Sequence, residues 1–474
     1  MAIDASPRSE ARDQEGAMKL FILRLHFYVG LFVGPFILGA ALSGVLYVVT
    51  PQIETWLYRD QLYAATAGSP QPLAAQAEAA RAFIGEGPRL FAIRPAPQEG
   101  MTTQVMFSEP GLGESESRAI FVDPASLKIQ GDLVVYGTSG VLPFRTTLDY
   151  LHRNLLLGEP GRYYSELAAS WLWLAVLGGV FLWFWRRKAV RPAAEKARKA
   201  FAMRRLHSLI GLWIAVGLLF LSATGLTWSR WAGDRIDQFR SEVGWVTPSV
   251  SLALGGTSPA APQGDHAHHG GGEGHGHMAM QEAAVDPVAQ LDRILAVSRE
   301  AGIDSGMLEL RPPRADGQAW LVREYDRQWP TQVDTIAIDP QTLQVTSRAD
   351  FETFPIVAKL IRWGIDAHMG ILFGVANQIV MAALGTALIV MIVYGYRIWW
   401  TRRPAPGAVP RTLIRAWCYL SLPAKVGVIL VAVALGWALP VMGASLMAFL
   451  AVDIVRWRLS SRKGASGGVK APAE

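Results

Sequence analysis

The chain has 474 residues, 51% of them hydrophobic, with 17 tryptophans and a mean hydropathy of +0.22. That profile belongs to a membrane protein rather than a soluble enzyme. The formal net charge is +6, but Lys and Arg crowd beside the apolar runs, so the basic balance reads as topology and lipid contact and makes no case for nucleic acid. Cys418, the single cysteine, excludes intrachain disulfides, Cys-ligated iron–sulfur clusters and Cys-rich zinc sites. No dinucleotide fingerprint or phosphate-binding loop appears, so the chain shows no nicotinamide, flavin or nucleotide domain of its own.

Residues 1–19 are polar and read as a cytoplasmic N-terminus ahead of an uncleaved signal-anchor. The first span lies within 20–50, with Phe27 to Val49 as its apolar run. Residues 51–150 form an outer module with a helix over 72–84 and strands over 89–95, 102–108 and 117–123. Residues 151–187 hold a histidine-bearing segment and the second span, Leu167 to Trp185, and 188–204 form a basic loop. The third span, Ser208 to Trp228, lies within 205–230. A second outer module covers 231–365, with a helix over 286–300, strands over 307–312, 319–325 and 332–338, and a His/Gly-rich insertion at 264–280. Residues 366–403 repeat the histidine segment and give the fourth span, Val375 to Trp400. Residues 404–458 read as a hydrophobic hairpin broken at Pro440 and Gly443, with Lys425 weakening its first arm, and 459–474 as a cytoplasmic tail. Each main span is near the roughly 20 residues that cross a hydrocarbon core. The basic clusters Arg186–Lys199 and Arg402–Arg415 put the N-terminus inside and both modules outside. The aromatic margins "FLWFW" and "YGYRIWW" fit an interfacial belt.

The halves repeat. Arg24, Leu25, His26, Gly30 and Gly44 match Arg205, Leu206, His207, Gly211 and Gly225 at one offset. Asp123-Pro124, His152, Gly158 and Arg186-Arg187 match Asp339-Pro340, His368, Gly374 and Arg402-Arg403 at a second, larger one. The fold class is therefore an integral membrane α-helical bundle, four main spans in two repeats plus a C-terminal hairpin, carrying two outer α+β modules. "VDPASLK" and "IDPQTLQ" mark a bend between strands in each module.

Four histidines accompany the four main spans. His26 and His207 open the first and third at the cytoplasmic end, and His152 and His368 precede the second and fourth at the outer end. A straight helix from His152 to Arg186 would be about 51 Å long against a core of roughly 30 Å. "GEPG" is expected to break the chain in the first half. In the second half, which lacks a proline there, the extra length reads as a helix rising above the membrane or a re-entrant piece. Pseudo-two-fold symmetry would set His26 opposite His207 and His152 opposite His368. Facing imidazoles on neighbouring helices can hold a haem iron on both faces, and Gly30, Gly34, Gly39, Gly44, Gly211, Gly217 and Gly225 are candidates for close approach beside it. A lone histidine at a helix end is usually interfacial or capping. Two symmetry-matched pairs at two heights favour ligation. A separate tract carries His266, His268, His269, His275 and His277 among glycines and methionines, a donor set suited to copper, nickel or zinc, with a plain flexible insertion as the alternative.

"RLHFYVGLFVGPFILGAALSGVLY", "LDYLHRNLLLG" and "RLHSLIGLWIAVGLLFLSATGL" resemble the PepSY-associated transmembrane proteins, also called iron-regulated membrane proteins, over about residues 20–403. The outer modules are similar to PepSY domains. The resemblance leaves out the C-terminal hairpin and the His-rich tract. It implies a bacterial inner-membrane location with periplasmic modules, and b-type haem, two per chain, on His26, His152, His207 and His368. Some members are siderophore-iron reductases, which implies an electron carrier reducing a ferric chelate held between the two outer modules. The donor would be external, a membrane quinol or a partner protein, with membrane lipid around the spans and no nucleic acid. A second reading is a non-enzymatic membrane-anchored module that binds a metal chelate, peptide or partner protein.

Overall fold

Every apolar run long enough to cross a bilayer is helical, since a backbone in hydrocarbon must satisfy its polar groups within its own segment. The computed structural model describes residues 7–113, 115–186, 195–255, 286–403 and 412–466. Its first run is α1 (Pro7–Tyr28), a π-helical turn (Val29–Val33) and α2 (Gly34–Val48). Then come α3 (Thr50–Leu57), α4 (Arg59–Leu62), α5 (Leu73–Ile84), four strands β1 (Arg89–Arg94), β2 (Thr103–Ser108), β3 (Glu116–Val122) and β4 (Ile129–Tyr136), α6 (Pro143–Asn154), α7 (Arg162–Arg186), α8 (Glu195–Thr227) and α9 (Trp231–Glu242). The second half continues with α10 (Leu291–Glu300), β5 (Leu308–Arg311), β6 (Trp320–Glu324), β7 (Thr335–Ile338), β8 (Val345–Ala349), α11 (Ile356–His368) and α12 (Gly374–Arg402). The chain closes with α13 (Leu413–Cys418), α14 (Leu422–Ala438) and α15 (Pro440–Ser466). Among the described residues, five segments are long and apolar enough to cross a membrane: Gly16–Val48, Glu159–Trp185, Arg198–Thr227, Gly374–Arg402 and Pro440–Leu459. The chain is a multi-pass membrane protein. The third helix begins at Glu195, within the stretch expected to be a basic loop. The first arm of the C-terminal hairpin, α14, is shorter than the five.

The chain divides into two compact units. One comprises residues 1–45, 151–236 and 382–474, and the other 46–150 and 237–381. The first is the helical bundle. Its core runs through Val29, Val33, Trp171, Leu218 and Leu388, and α13 packs against α1 through Phe21, Tyr28, Leu413 and Ala416.

The second unit corrects the expectation of two separate modules. Its strands form one antiparallel sheet in the order β4-β3-β2-β1-β5-β6-β7-β8. Two four-stranded meanders meet where Ile93 pairs with Leu310 across β1 and β5. One core, with Leu73, Ala77, Ile93, Leu291, Ile294 and Leu310, continues under both halves. A ferric chelate therefore has no gap between the modules to occupy: packed apolar side chains and ladder bonds fill it. The Asp-Pro turns are alike in detail. Asp123 Oδ1 accepts from the N–H groups of Ala125 and Ser126, and Asp339 Oδ1 from those of Gln341 and Thr342. Each turn closes through a left-handed leucine, Leu127 (φ 61°) or Leu343 (φ 59°), and launches a fourth strand, β4 or β8.

Both halves break between outer histidine and span. In the first, Leu155 and Leu156 adopt φ values of 54° and 60° ahead of Gly158 (φ 64°). In the second, Gly370 (φ 75°) and Gly374 (φ 57°) make the break without a proline. The expected rising helix or re-entrant piece is instead a glycine turn, because glycine reaches the left-handed region at no steric cost.

Candidate functional site

His26 sits in the last turn of α1 and His207 in the first half of α8. Their ring centroids are 6.5 Å apart and their planes nearly perpendicular, at 79°. Each ring is fixed the same way. His26 Nδ1–H donates to the Ala175 carbonyl on α7 at 2.9 Å, and His207 Nδ1–H donates to the Met391 carbonyl on α12 at 2.9 Å. Ala175 and Met391 are repeat counterparts, at the offset that relates His152 to His368. A carbonyl can only accept, so Nδ1 carries the proton in both rings and each Nε2 keeps its lone pair.

Glycines make room for these rings. A Cβ on Gly179 would stand 3.2 Å from His26 Cε1, and one on Gly395 would stand 3.5 Å from His207 Cε1. Gly179 and Gly395 are again counterparts, each one turn beyond the accepting carbonyl. The glycines singled out from the sequence do other work. Gly34, Gly39, Gly211, Gly217 and Gly225 lie against Tyr396, Tyr164, Met391, Leu384 and Ala169, which is helix packing, and Gly30 faces open space. Only Gly44 touches a histidine, with a built Cβ 3.3 Å from His152 Cε1.

His152 lies in the last turn of α6. Ser43 Oγ gives its one proton to the Gly39 carbonyl at 2.8 Å. It also lies 3.0 Å from His152 Nδ1, in hydrogen-bond contact with that ring. Ser43 stands on the same continuous helix as His26, about 25 Å farther along its axis. That is close to the thickness of a hydrocarbon core.

His368 closes α11 in the other unit. Two residues earlier, the fully buried Asp366 accepts from Arg327 Nε at 2.5 Å and Arg362 Nε at 3.0 Å, which pins the end of that helix. The five histidines of the 264–280 insertion lie outside the described residues. Among the described residues, no group of three or more His, Cys, Asp or Glu side chains has the spacing of a metal site.

One feature of the sheet gave no signal in the sequence. At the β1–β5 seam the buried Glu309 meets three guanidiniums, those of Arg94, Arg311 and Arg323. Burial pushes the Glu309 carboxyl up, but Arg323, Arg311 and Arg94 outweigh it and hold it well below the usual carboxylate range. Burial and Arg311 push Arg323 down to about 10. Three guanidiniums thus converge on one buried carboxylate.

The 6.5 Å between the inner rings is close to the separation of two imidazoles that share one metal ion. Two metal–imidazole bonds of about 2 Å and two ring radii of about 1.1 Å put the centroids of opposed ligands roughly 6 Å apart. A ligating histidine ordinarily donates its other N–H to a carbonyl or carboxylate, which sets the tautomer and orients the ring. A search of curated proteins finds no match to this chain. The family model for the PepSY-associated TM region matches residues 23–402. It covers all four histidines and both halves of the sheet and stops before α13, α14 and α15, so the chain belongs to the PepSY-associated transmembrane family.

Proposed function

We propose that this protein is a haem-containing electron carrier of the bacterial inner membrane that reduces a ferric siderophore or related metal chelate on the periplasmic side. The observation that carries the reading is the matched pair His26 and His207. Two rings 6.5 Å apart are each held by an Nδ1–H bond to a repeat-related carbonyl and backed by a repeat-related glycine. In a packed bundle this spends two helix–helix contacts on presenting lone pairs. Haem b bound there would supply one-electron chemistry at a potential set by the imidazoles that hold it.

The chain's own residues do the rest. His26 and His207 would hold one iron near the inner end of the bundle, and His152 and His368 a second near the outer end. The Ala175 and Met391 carbonyls fix the inner tautomers, and Ser43 holds the His152 ring by its Nδ1. The span in between is about 25 Å along one helix, so the two sites would stand near opposite faces of the bilayer. Reduction to the ferrous ion lowers the metal's charge and so loosens hard oxygen donors. The His-rich insertion would bind a soft or borderline metal by its imidazoles.

The test is the visible spectrum of the full chain purified from cells with ample haem. Bands of low-spin b-type haem are expected, which shift on reduction and disappear in His26→Ala/His207→Ala/His152→Ala/His368→Ala. Protein that folds and carries no haem ends this reading.

A further inference from the structure

The helix α11 is apolar on two faces. One, with Ala358 and Ile365, is buried against the protein. The other is uncovered. Ile356, Leu360, Trp363 and Ala367 follow at i, i+4, i+7 and i+11, within an arc of about 60°, and Ile356 and Leu360 are 63% and 58% exposed. A helix beside water carries polar residues on its outer face. Here Lys359 flanks the stripe, its Nζ bonded to the Glu352 carbonyl at 2.6 Å, while Arg362 and Asp366 pair on another side of the helix. The stripe continues past the helix. Trp363 packs on Trp329 with ring centroids 5.4 Å apart, and Trp329 on Phe373 at 6.0 Å. The Trp329 N–H bonds the Leu372 carbonyl at 2.8 Å, and Trp329 and Phe373 are each 56% exposed. Phe373 directly precedes α12, the fourth span, whose first turns expose Val375, Ile379 and Val380.

Two observations say what covers this stripe. The first is continuity. Val375 and Ile379 belong to a membrane-crossing helix, so hydrocarbon covers them, and the apolar surface runs from them over Phe373 and Trp329 onto α11. The second is composition. Indoles beside the end of a span, and a lysine stem along the edge of an apolar face, are what the boundary between headgroups and acyl chains accepts. The repeat shows that the stripe is not a demand of the shared fold. At the offset relating His152 to His368, Ile356, Leu360 and Trp363 correspond to Gly140, Phe144 and Thr147, and in α6 the exposed position is the polar Thr147.

We infer that α11 is an interfacial helix: it lies in the phospholipid headgroup layer at the start of the fourth span, with Ile356, Leu360 and Trp363 in the upper acyl chains. The glycine turn from Gly370 to Gly374 lets the chain change direction between a helix lying on the bilayer and one crossing it. The contact also reaches the sheet. Arg327 and Trp329 both lie in the loop between β6 and β7. Arg327 Nε bonds the buried Asp366 of α11 at 2.5 Å, and Trp329 packs on Trp363. Lipid that holds α11 therefore holds the β6–β7 end of the sheet at the membrane surface. The inference stands on the apolar face alone and is independent of whether haem is bound.

The test uses the full chain in nanodiscs of phosphatidylethanolamine and phosphatidylglycerol. In a Cys418→Ser background, which has no other cysteine, a nitroxide is attached at Ile356→Cys or Leu360→Cys. Gln341→Cys, in the exposed turn at the far end of β7, is the reference in water. Collision with oxygen, which concentrates in lipid, and with a nickel chelate, which stays in water, reports depth. Labels at 356 and 360 are expected to lie about 5–10 Å below the phosphates, and the label at 341 to collide freely with nickel. Nickel access at 356 and 360 equal to that at 341 overturns the inference and leaves the stripe to a soluble partner. Protection from nickel together with spin–spin broadening that dilution with unlabelled chain removes overturns it in favour of a second copy. A second readout needs no substitution. Phospholipid with a diazirine in its upper acyl chain is expected to crosslink the wild-type chain within residues 356–373 as well as in α12. Crosslinks in α12 with none on α11 overturn the inference too.

Discussion

The two inner imidazoles differ in how closely a glycine backs them, and that difference predicts an asymmetry between equivalent mutations. In Gly179→Ala the new methyl meets His26 Cε1 at 3.2 Å; in Gly395→Ala it meets His207 Cε1 at 3.5 Å. Carbon atoms rest at about 3.5–4.0 Å, so the second methyl is accommodated and the first pushes the ring back by about 0.3 Å. Gly179 and the Ala175 carbonyl lie on the same helix, so retreat from one lengthens the 2.9 Å bond to the other. Losing such an orienting bond costs about 10- to 100-fold in metal affinity, and a partial stretch costs less. In a His152→Ala/His368→Ala background, which leaves only the inner pair, Gly179→Ala is expected to weaken haem binding a few-fold. Gly179→Val, which adds a second carbon at the contact, is expected to weaken it tenfold or more, about 1.4 kcal/mol. Gly395→Ala is expected to stay within about twofold of the parent, a few tenths of a kcal/mol. The assay is haem titration into apo-protein followed by absorbance, with thermal unfolding as a check on folding. Equal effects of the two alanines, or parental affinity in Gly179→Val, would refute the claim that these glycines and carbonyls set the ring positions.

Three further outcomes follow from the same geometry. His26→Ala/His207→Ala and His152→Ala/His368→Ala should each halve the haem-to-protein ratio measured as the pyridine haemochrome; retention of full haem in either would remove that pair as ligands. Ser43→Ala deletes the hydrogen-bond partner of His152 Nδ1 and should loosen the outer haem about tenfold in the same titration while the inner site is unchanged. Glu309→Gln removes the anion shared by the buried Arg94 and Arg323 and the part-buried Arg311 and should cost about 3–5 kcal/mol, lowering the melting midpoint by roughly 6–20 °C. The Glu309 carboxyl is held below its ordinary value, so its contribution is present above the usual carboxylate pKa and is lost as pH falls through the lowered folded value. The gap between wild type and Glu309→Gln should therefore be constant from pH 7 to about 5 and narrow only in stronger acid; a gap that closes already near pH 6 would contradict the ion cluster.

Much of the bundle was legible because membrane helices are local: an apolar run and its flanking basic residues define one without reference to any partner. The pairing of His26 with His207 was legible for a different reason, a repeat register that survives the intervening loops. What the sequence hid is what depends on backbone atoms or on distant pairing. The carbonyls of Ala175 and Met391 carry no side-chain signature, and only their shared offset with Gly179 and Gly395 would have flagged them. The glycines on the histidine helices drew attention instead, and most of them serve helix contact. The fourth strands β4 and β8 follow turns that were recognised. Their union into one sheet rests on the β1–β5 edge, a contact between segments more than half the module apart in sequence, which no local pattern encodes. The buried Asp453 was hidden likewise, since its hydrogen-bond partners Tyr28 and Ile414 come from the far start of the chain and from a short helix.

The shared sheet bears on how such a molecule could have arisen. A single half, cut loose, would present the bare edge of β1 and the uncovered flank of α5 to water, and a bare edge is a template for another chain. The natural cover is a second copy docked edge to edge, an isologous dimer about the axis that now passes between Ile93 and Leu310. Joining the copies makes that association independent of concentration. It also frees each half to drift, and the π-turn found in one half alone is drift that a strict homodimer could not have kept to one side.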